Sequence, residues 1–180
     1  MSKQGGVWVS GAMMDSSLIK SAKMDVDDSN LDLVVEAQRC QGQGNPLPAD
    51  RYPQVIFGMF PFKKNKKLPD FCNAGGFWTV SRAFADVLRQ FNLGRTRFYP
   101  VQAFQFDRKT PIEGEYFTLA FGETKDTLLP ELSRLERPYP GQDLWHLQLG
   151  AYKDGDVVLA PSAFDGVACG WRQDLTMPSC

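Results

Sequence analysis

The chain has 180 residues, and its 20 Lys and Arg against 21 Asp and Glu leave a formal net charge of −1. That balance excludes the clear basic excess of an ordinary nucleic-acid binder. With 43% hydrophobic and 23% charged residues the composition is that of a globular protein, and a domain of this length buries roughly 70% of its unfolded surface without a disulfide or metal staple.

The first β-prone run is Val7-Trp8-Val9, after a flexible Gly5-Gly6. An acidic cluster follows: Asp15, Asp25, Asp27, Asp28, Asp32 and Glu36. Leu31, Leu33, Val34 and Val35 are mixed into its second half, and periodicity leaves strand and helix both open there. Residues 41–53, dense in Gly and Pro, read as an irregular connector, and Val55-Ile56-Phe57 as a short strand. The best helix runs from Ser81 to Phe91. Ser81 is its N-cap, Phe84, Val87, Leu88 and Phe91 form one apolar face, and Gly94 supplies a left-handed C-terminal cap.

Residues 98–106 form an aromatic strand in which Pro100, lacking an N–H, belongs at an edge or near a strand start. A polar turn joins it to a strand over Tyr116–Phe121, giving an antiparallel hairpin. In residues 126–138, Pro130 fits the first turn of a short helix. Leu144–Leu149 and Val157–Leu159 then read as two strands around the turn at residues 153–156. The expected architecture is one α+β domain over residues 1–180: antiparallel hairpins packed with one well-defined central helix and one or more short helices.

Cys40, Cys72, Cys169 and Cys180 contain no C-x-x-C pair and read as free thiols of a reducing compartment. The N-terminus lacks the apolar run of a signal peptide. No stretch approaches the roughly 20 apolar residues that span a bilayer, so the expected location is cytoplasmic. Phosphate-loop, nucleophile-elbow and zinc-ligand motifs are all absent, and no cofactor or metal is expected. Two residues keep a small hydrolase or transferase open as an alternative. His146 is the only histidine, a residue type whose unperturbed pKa is near neutrality, and has Asp143 close in sequence. Cys72 lies in the Gly-rich stretch FCNAGGF, upstream of the helix by too many residues for a strong dipole effect.

The one strongly basic run is Lys63, Lys64, Lys66 and Lys67, with Phe57, Phe60 and Phe62 beside it. Basic residues among aromatics can hold single-stranded nucleic acid, although a solvated loop explains the same run. The acidic residues Asp25, Asp27, Asp28 and Asp32 are the complementary candidate, a surface for a basic partner.

Leu68-Pro69-Asp70-Phe71, then Gly75-Gly76, Trp78-Thr79-Val80-Ser81, the helix to Phe91 and Phe98-Tyr99-Pro100-Val101 resemble, in order and spacing, an immunity-protein family of bacterial polymorphic toxin systems. The strand from Tyr116 and the segment Gly170-Trp171-Arg172 resemble its C-terminal part. The likeness covers about half the chain within residues 46–180, and residues 1–45 match nothing in the family. It implies a cytoplasmic antitoxin that binds a cognate protein toxin and occludes it, with no catalysis. The signature residues Leu68, Pro69, Asp70, Gly75, Gly76, Trp78, Ser81, Pro100 and Trp171 read as scaffold. Contact with the toxin falls instead to the acidic residues and to Phe62 with its lysines. Family members continue beyond the Trp-Arg segment where this chain stops at Cys180, which implies exposed apolar surface near the C-terminus.

Overall fold

A computed structural model of the chain describes residues 16–26, 31–136, 144–147, 156–167 and 175–176. Ten strands occur among them: β1 (Ile19–Lys20), β2 (Ala22–Met24), β3 (Val55–Gly58), β4 (Phe71–Ala74), β5 (Phe77–Ser81), β6 (Arg97–Phe104), β7 (Tyr116–Ala120), β8 (Leu135–Glu136), β9 (Leu144–Leu147) and β10 (Leu175–Thr176). Two α-helices, α1 (Leu31–Gly42) and α2 (Arg82–Leu88), accompany them. Val7–Val9 lies outside the described residues.

The expected α+β architecture built on a central helix is therefore incorrect. The body of the molecule is a seven-stranded mixed sheet in the order β1-β4-β5-β7-β6-β3-β2. Its two ends are nearly one piece of chain, because only Ser21 separates β1 from β2. Ile19 and Lys20 pair in parallel with β4, while Ala22 to Met24 pair antiparallel with β3. A single short segment thus joins both ends of the sheet, which curls into a nearly closed barrel. Closure protects strand edges that would otherwise offer unpaired N–H and C=O groups to other chains.

Strand alternation sorts the apolar residues onto two faces. Ile56, Cys72, Ala74, Phe77, Val101, Ala103, Tyr116 and Ala120 belong to one core cluster, which Val34 and Ala37 of α1 and Tyr52 also join. Trp78, Val80, Phe117 and Leu119 alternate with them along β5 and β7 and form the second cluster under α2. A two-glycine hairpin makes β5 possible. Gly75 and Gly76 have φ of 62° and 91°, the positive angles that a tight β-turn with the right twist demands, and the Gly76 N–H donates to Asn73 Oδ1 at 2.9 Å.

Helix α2 starts as its sequence dictates: the Phe84 N–H donates to Ser81 Oγ at 3.2 Å. Two members of the expected face, Phe84 and Leu88, do pack partly buried against the second cluster, but the third residue there is Ala85, the one fully buried residue of the helix. Val87 and Phe91 are each 55% exposed. The helix ends at Leu88, so Phe91 never completes the face. Residues 31–42 resolve the open choice in favour of helix, which runs on into Gln41-Gly42 at the start of the expected connector.

The expected β6–β7 hairpin is present, with Arg97 opposite Ala120 and Val101 opposite Tyr116. Pro100 lies inside β6 on a stretch with one free edge, one of its two expected settings. It is tolerated because β3 joins β6 only from Gln102 onward, leaving β6 a neighbour on one side at that point. The expected pairing of Leu144–Leu149 with Val157–Leu159 is not what forms. β9 pairs with β8 and β10, and Leu159 bridges to Leu128.

Candidate partner-binding surface

Residues 59–67 leave β3 and cross the end of the barrel beside the loop that connects β6 to β7. Phe60 and Phe62 stack on each other in this segment, with ring centroids 5.4 Å apart. Phe62 is 82% exposed, the most exposed large apolar side chain among the described residues. Met59 and Phe106 are also exposed, and the backbone at Phe106 runs against Gly58. Lys63, Lys64 and Lys66 are exposed and have no ion pair among the described residues. Among the described residues, the Lys67 ammonium reaches only the carboxylate of the exposed Asp70, at 3.8 Å.

The loop is held by contacts to distant sequence. Asn65 N–H donates to Gln105 Oε1 at 3.1 Å, and Gln105 Nε2 donates back to the Asn65 carbonyl at 2.5 Å. At the next residue, Glu113 N–H donates to the Lys66 carbonyl at 3.0 Å. Leu68 closes the loop with a buried side chain and donates its N–H to Tyr116 Oη at 2.9 Å. The aromatic pair and its lysines therefore project from a fixed base.

The facing turn is fixed in the same way. Asp107 accepts from Thr110 Oγ1 at 2.5 Å and from the N–H groups of Lys109 and Thr110 at 2.9 and 2.8 Å. These bonds, that from the Thr110 hydroxyl foremost, pull its carboxyl down to about 2. A carboxyl lowered by folding adds stability that is fully present above its ordinary pKa and is lost as pH falls through the folded value. We expect the melting temperature to fall as pH drops from about 4 to about 2, and less steeply in Asp107→Asn, in a thermal-melt series over pH. Equal slopes would remove the carboxylate from the account of this turn.

The acidic residues are placed differently. Both oxygens of Asp25 accept from Gln54 N–H, at 3.2 and 3.3 Å, so this carboxylate ties β2 to the start of β3. Asp32 is exposed in the first turn of α1. Asp27 and Asp28 lie outside the described residues.

Of the two nucleophile or base candidates, Cys72 is fully buried in β4, opposite Thr79 of β5. Burial pushes its thiol up to about 11, which keeps it protonated and inert near neutrality. Iodoacetamide at about pH 8 should leave Cys72 unmodified in the native protein and label it only after denaturation, by peptide mass mapping. Rapid native labelling would show that β4 opens. His146 lies in β9 opposite Glu136; its side chain, with Asp143, Cys169 and Cys180, lies outside the described residues. No group of three or more His, Cys, Asp or Glu among the described residues could hold a metal ion.

The signature residues are distributed through the barrel. Leu68 and Tyr116 share the bond above, the Asp70 carbonyl accepts from Ser81 N–H at 2.9 Å, and Trp78 stacks on Phe71 at 4.8 Å. Trp171 lies outside the described residues. Sequence reading named Phe62 and the lysines but missed Gln105 and Asn65, whose partnership spans 40 positions and leaves no local pattern. A concavity of about 990 Å³, open to solvent, runs along β6 between Val55, Pro100, Gln102 and Phe117. Of its charged lining residues, Arg82 and Glu115 are bonded to each other, and Asp50 is the third.

Among the described residues no helix is long and apolar enough to cross a membrane. No protein-family model, curated protein or solved structure matches the chain.

Proposed function

We propose that this protein is a cytoplasmic immunity protein, which neutralises a cognate bacterial toxin by binding and occluding it and performs no chemistry of its own. The family reading rests on the ordered motif from Leu68 to Val101. The observation that carries the binding role is the Phe60–Phe62 stack, solvent-exposed on a loop anchored through Asn65 and Gln105. Exposed aromatics are costly unless a partner covers them, and they supply most of the binding energy where one does. A loop already fixed in place loses little entropy on docking.

The protonated, buried Cys72 weighs against the hydrolase or transferase alternative. Lysines beside aromatics also suit a single nucleic-acid strand, but a net charge of −1 provides no wider attractive field. The test is genetic and biochemical. The C-terminal domain of a multidomain toxin encoded beside this gene should co-purify with the protein, and co-expression should restore growth. Toxicity unchanged by co-expression, with no complex recovered, would refute the immunity role.

A further inference from the structure

Resting on that binding role, we infer that the partner presents an acidic protein surface with an apolar recess, which receives Phe62 while Lys63, Lys64 and Lys66 meet the acids around it. This is the opposite polarity to a partner chosen by the acidic residues, and three observations lead to it.

First, the lysines are uncompensated. Four lie within five residues, and among the described residues the only acid they reach is the exposed Asp70, at 3.8 Å from Lys67. Surface charges left unpaired beside one another repel, and an acidic partner relieves that repulsion. Second, one member of the acidic set is already engaged: Asp25 accepts from the Gln54 N–H with both carboxylate oxygens. Third, charge and apolar surface coincide. Phe62 is 82% exposed at the head of the lysine run and is backed by Phe60, with Phe106 exposed on the adjoining loop. An anchor ringed by charges is the anatomy of a protein interface, in which a central aromatic enters a pocket and a polar rim sets orientation. The two rings also occupy one face of each other, which leaves less open stacking surface for successive bases.

The test uses the full-length protein and a random copolymer of glutamate and tyrosine, an acidic polypeptide with apolar side chains, beside poly-glutamate and a thymidine oligonucleotide. At low salt the copolymer should bind more tightly than poly-glutamate at equal carboxylate concentration, and the binding should weaken about tenfold between 50 and 300 mM salt. Phe62→Ala should abolish the preference for the copolymer while leaving the salt response. The triple variant Lys63→Glu, Lys64→Glu, Lys66→Glu should lose binding to both polypeptides. All these side chains are exposed, so an unchanged thermal melt is expected and separates lost binding from lost folding. Binding that survives both variants, a failure to bind either polypeptide, or tighter binding of the oligonucleotide at equal charge overturns the inference. Copolymer binding without rescue from any neighbouring toxin would retain the surface chemistry and remove the immunity role. Rescue without copolymer binding would do the reverse.

Discussion

Phe77→Ala is expected to lower the free energy of unfolding by about 3–5 kcal/mol, the usual cost of deleting a buried aromatic ring. Phe77 is 0% exposed and opens β5 directly after the two-glycine turn. Its ring meets Tyr52 edge-on, with centroids 5.9 Å apart and planes 71° apart. Tyr52 in turn stacks on Tyr99 of β6 at 4.8 Å and uses its hydroxyl to accept from Leu47 N–H at 3.2 Å. Truncation therefore empties the centre of the larger core cluster and removes the wall on which the chain segment before β3 rests. The remaining side chains come from opposite sides of a nearly closed sheet and cannot collapse far into the gap, which places the cost at the upper end of that range. Urea unfolding followed by tryptophan fluorescence measures it; a loss below about 1 kcal/mol would contradict the barrel packing.

Gly122→Ala is the second large effect, and it arises from backbone proximity instead of lost burial. A Cβ at position 122 would stand 2.2 Å from the Arg95 carbonyl carbon and 2.4 Å from Thr96 N. Neither atom belongs to a flexible side chain. The two chain segments, just before β6 and just after β7, would have to separate, breaking the bond that Gly122 N–H donates to Thr96 Oγ1 at 3.0 Å in a buried setting. We expect about 3 kcal/mol of destabilisation, the upper part of the range for overpacking. Gly166→Ala is the control. It has φ of 71° but nothing within 4 Å of the added carbon, so it should cost only the left-handed penalty of about 1–2 kcal/mol. Gly122 is not among the glycines with positive φ, so a loss there no larger than at Gly166 would contradict the close approach of Arg95.

These two positions also indicate why the sequence was legible in parts. Ser81 announces the start of α2 because a cap acts within three residues, and the β6–β7 pairing follows from two aromatic runs around one polar turn. Local chemistry suffices in both. Barrel closure has no such signal. Ile19 to Met24 is short and half polar, and its importance comes from meeting β4 and β3, which lie far along the chain. β5 was missed because its alternation is invisible when both faces are buried: Phe77, Trp78, Thr79 and Val80 are all covered, so polar positions do not mark a solvent side. The partial mismatch of the α2 face has a related origin. Val87 and Phe91 fit a helical period as well as Ser81 and Ala85 do, and only the sheet beneath decides which set is buried. At the candidate site, composition identified Phe62 and the lysines, whereas their rigidity depends on Gln105, a residue just past the end of β6 with no distinguishing local context.

The central claim is that Phe62, on its anchored loop, is the point at which a partner docks. Its most direct test is the affinity of the wild-type protein and of Phe62→Ala for the toxin domain encoded beside the gene, measured by calorimetry on samples with matched thermal melts. The account predicts at least about 2 kcal/mol of lost binding free energy, the threshold of an interface hot spot, together with lost protection from the toxin in growing cells. Indistinguishable affinities for the two proteins would contradict it and place the docking surface elsewhere on the barrel.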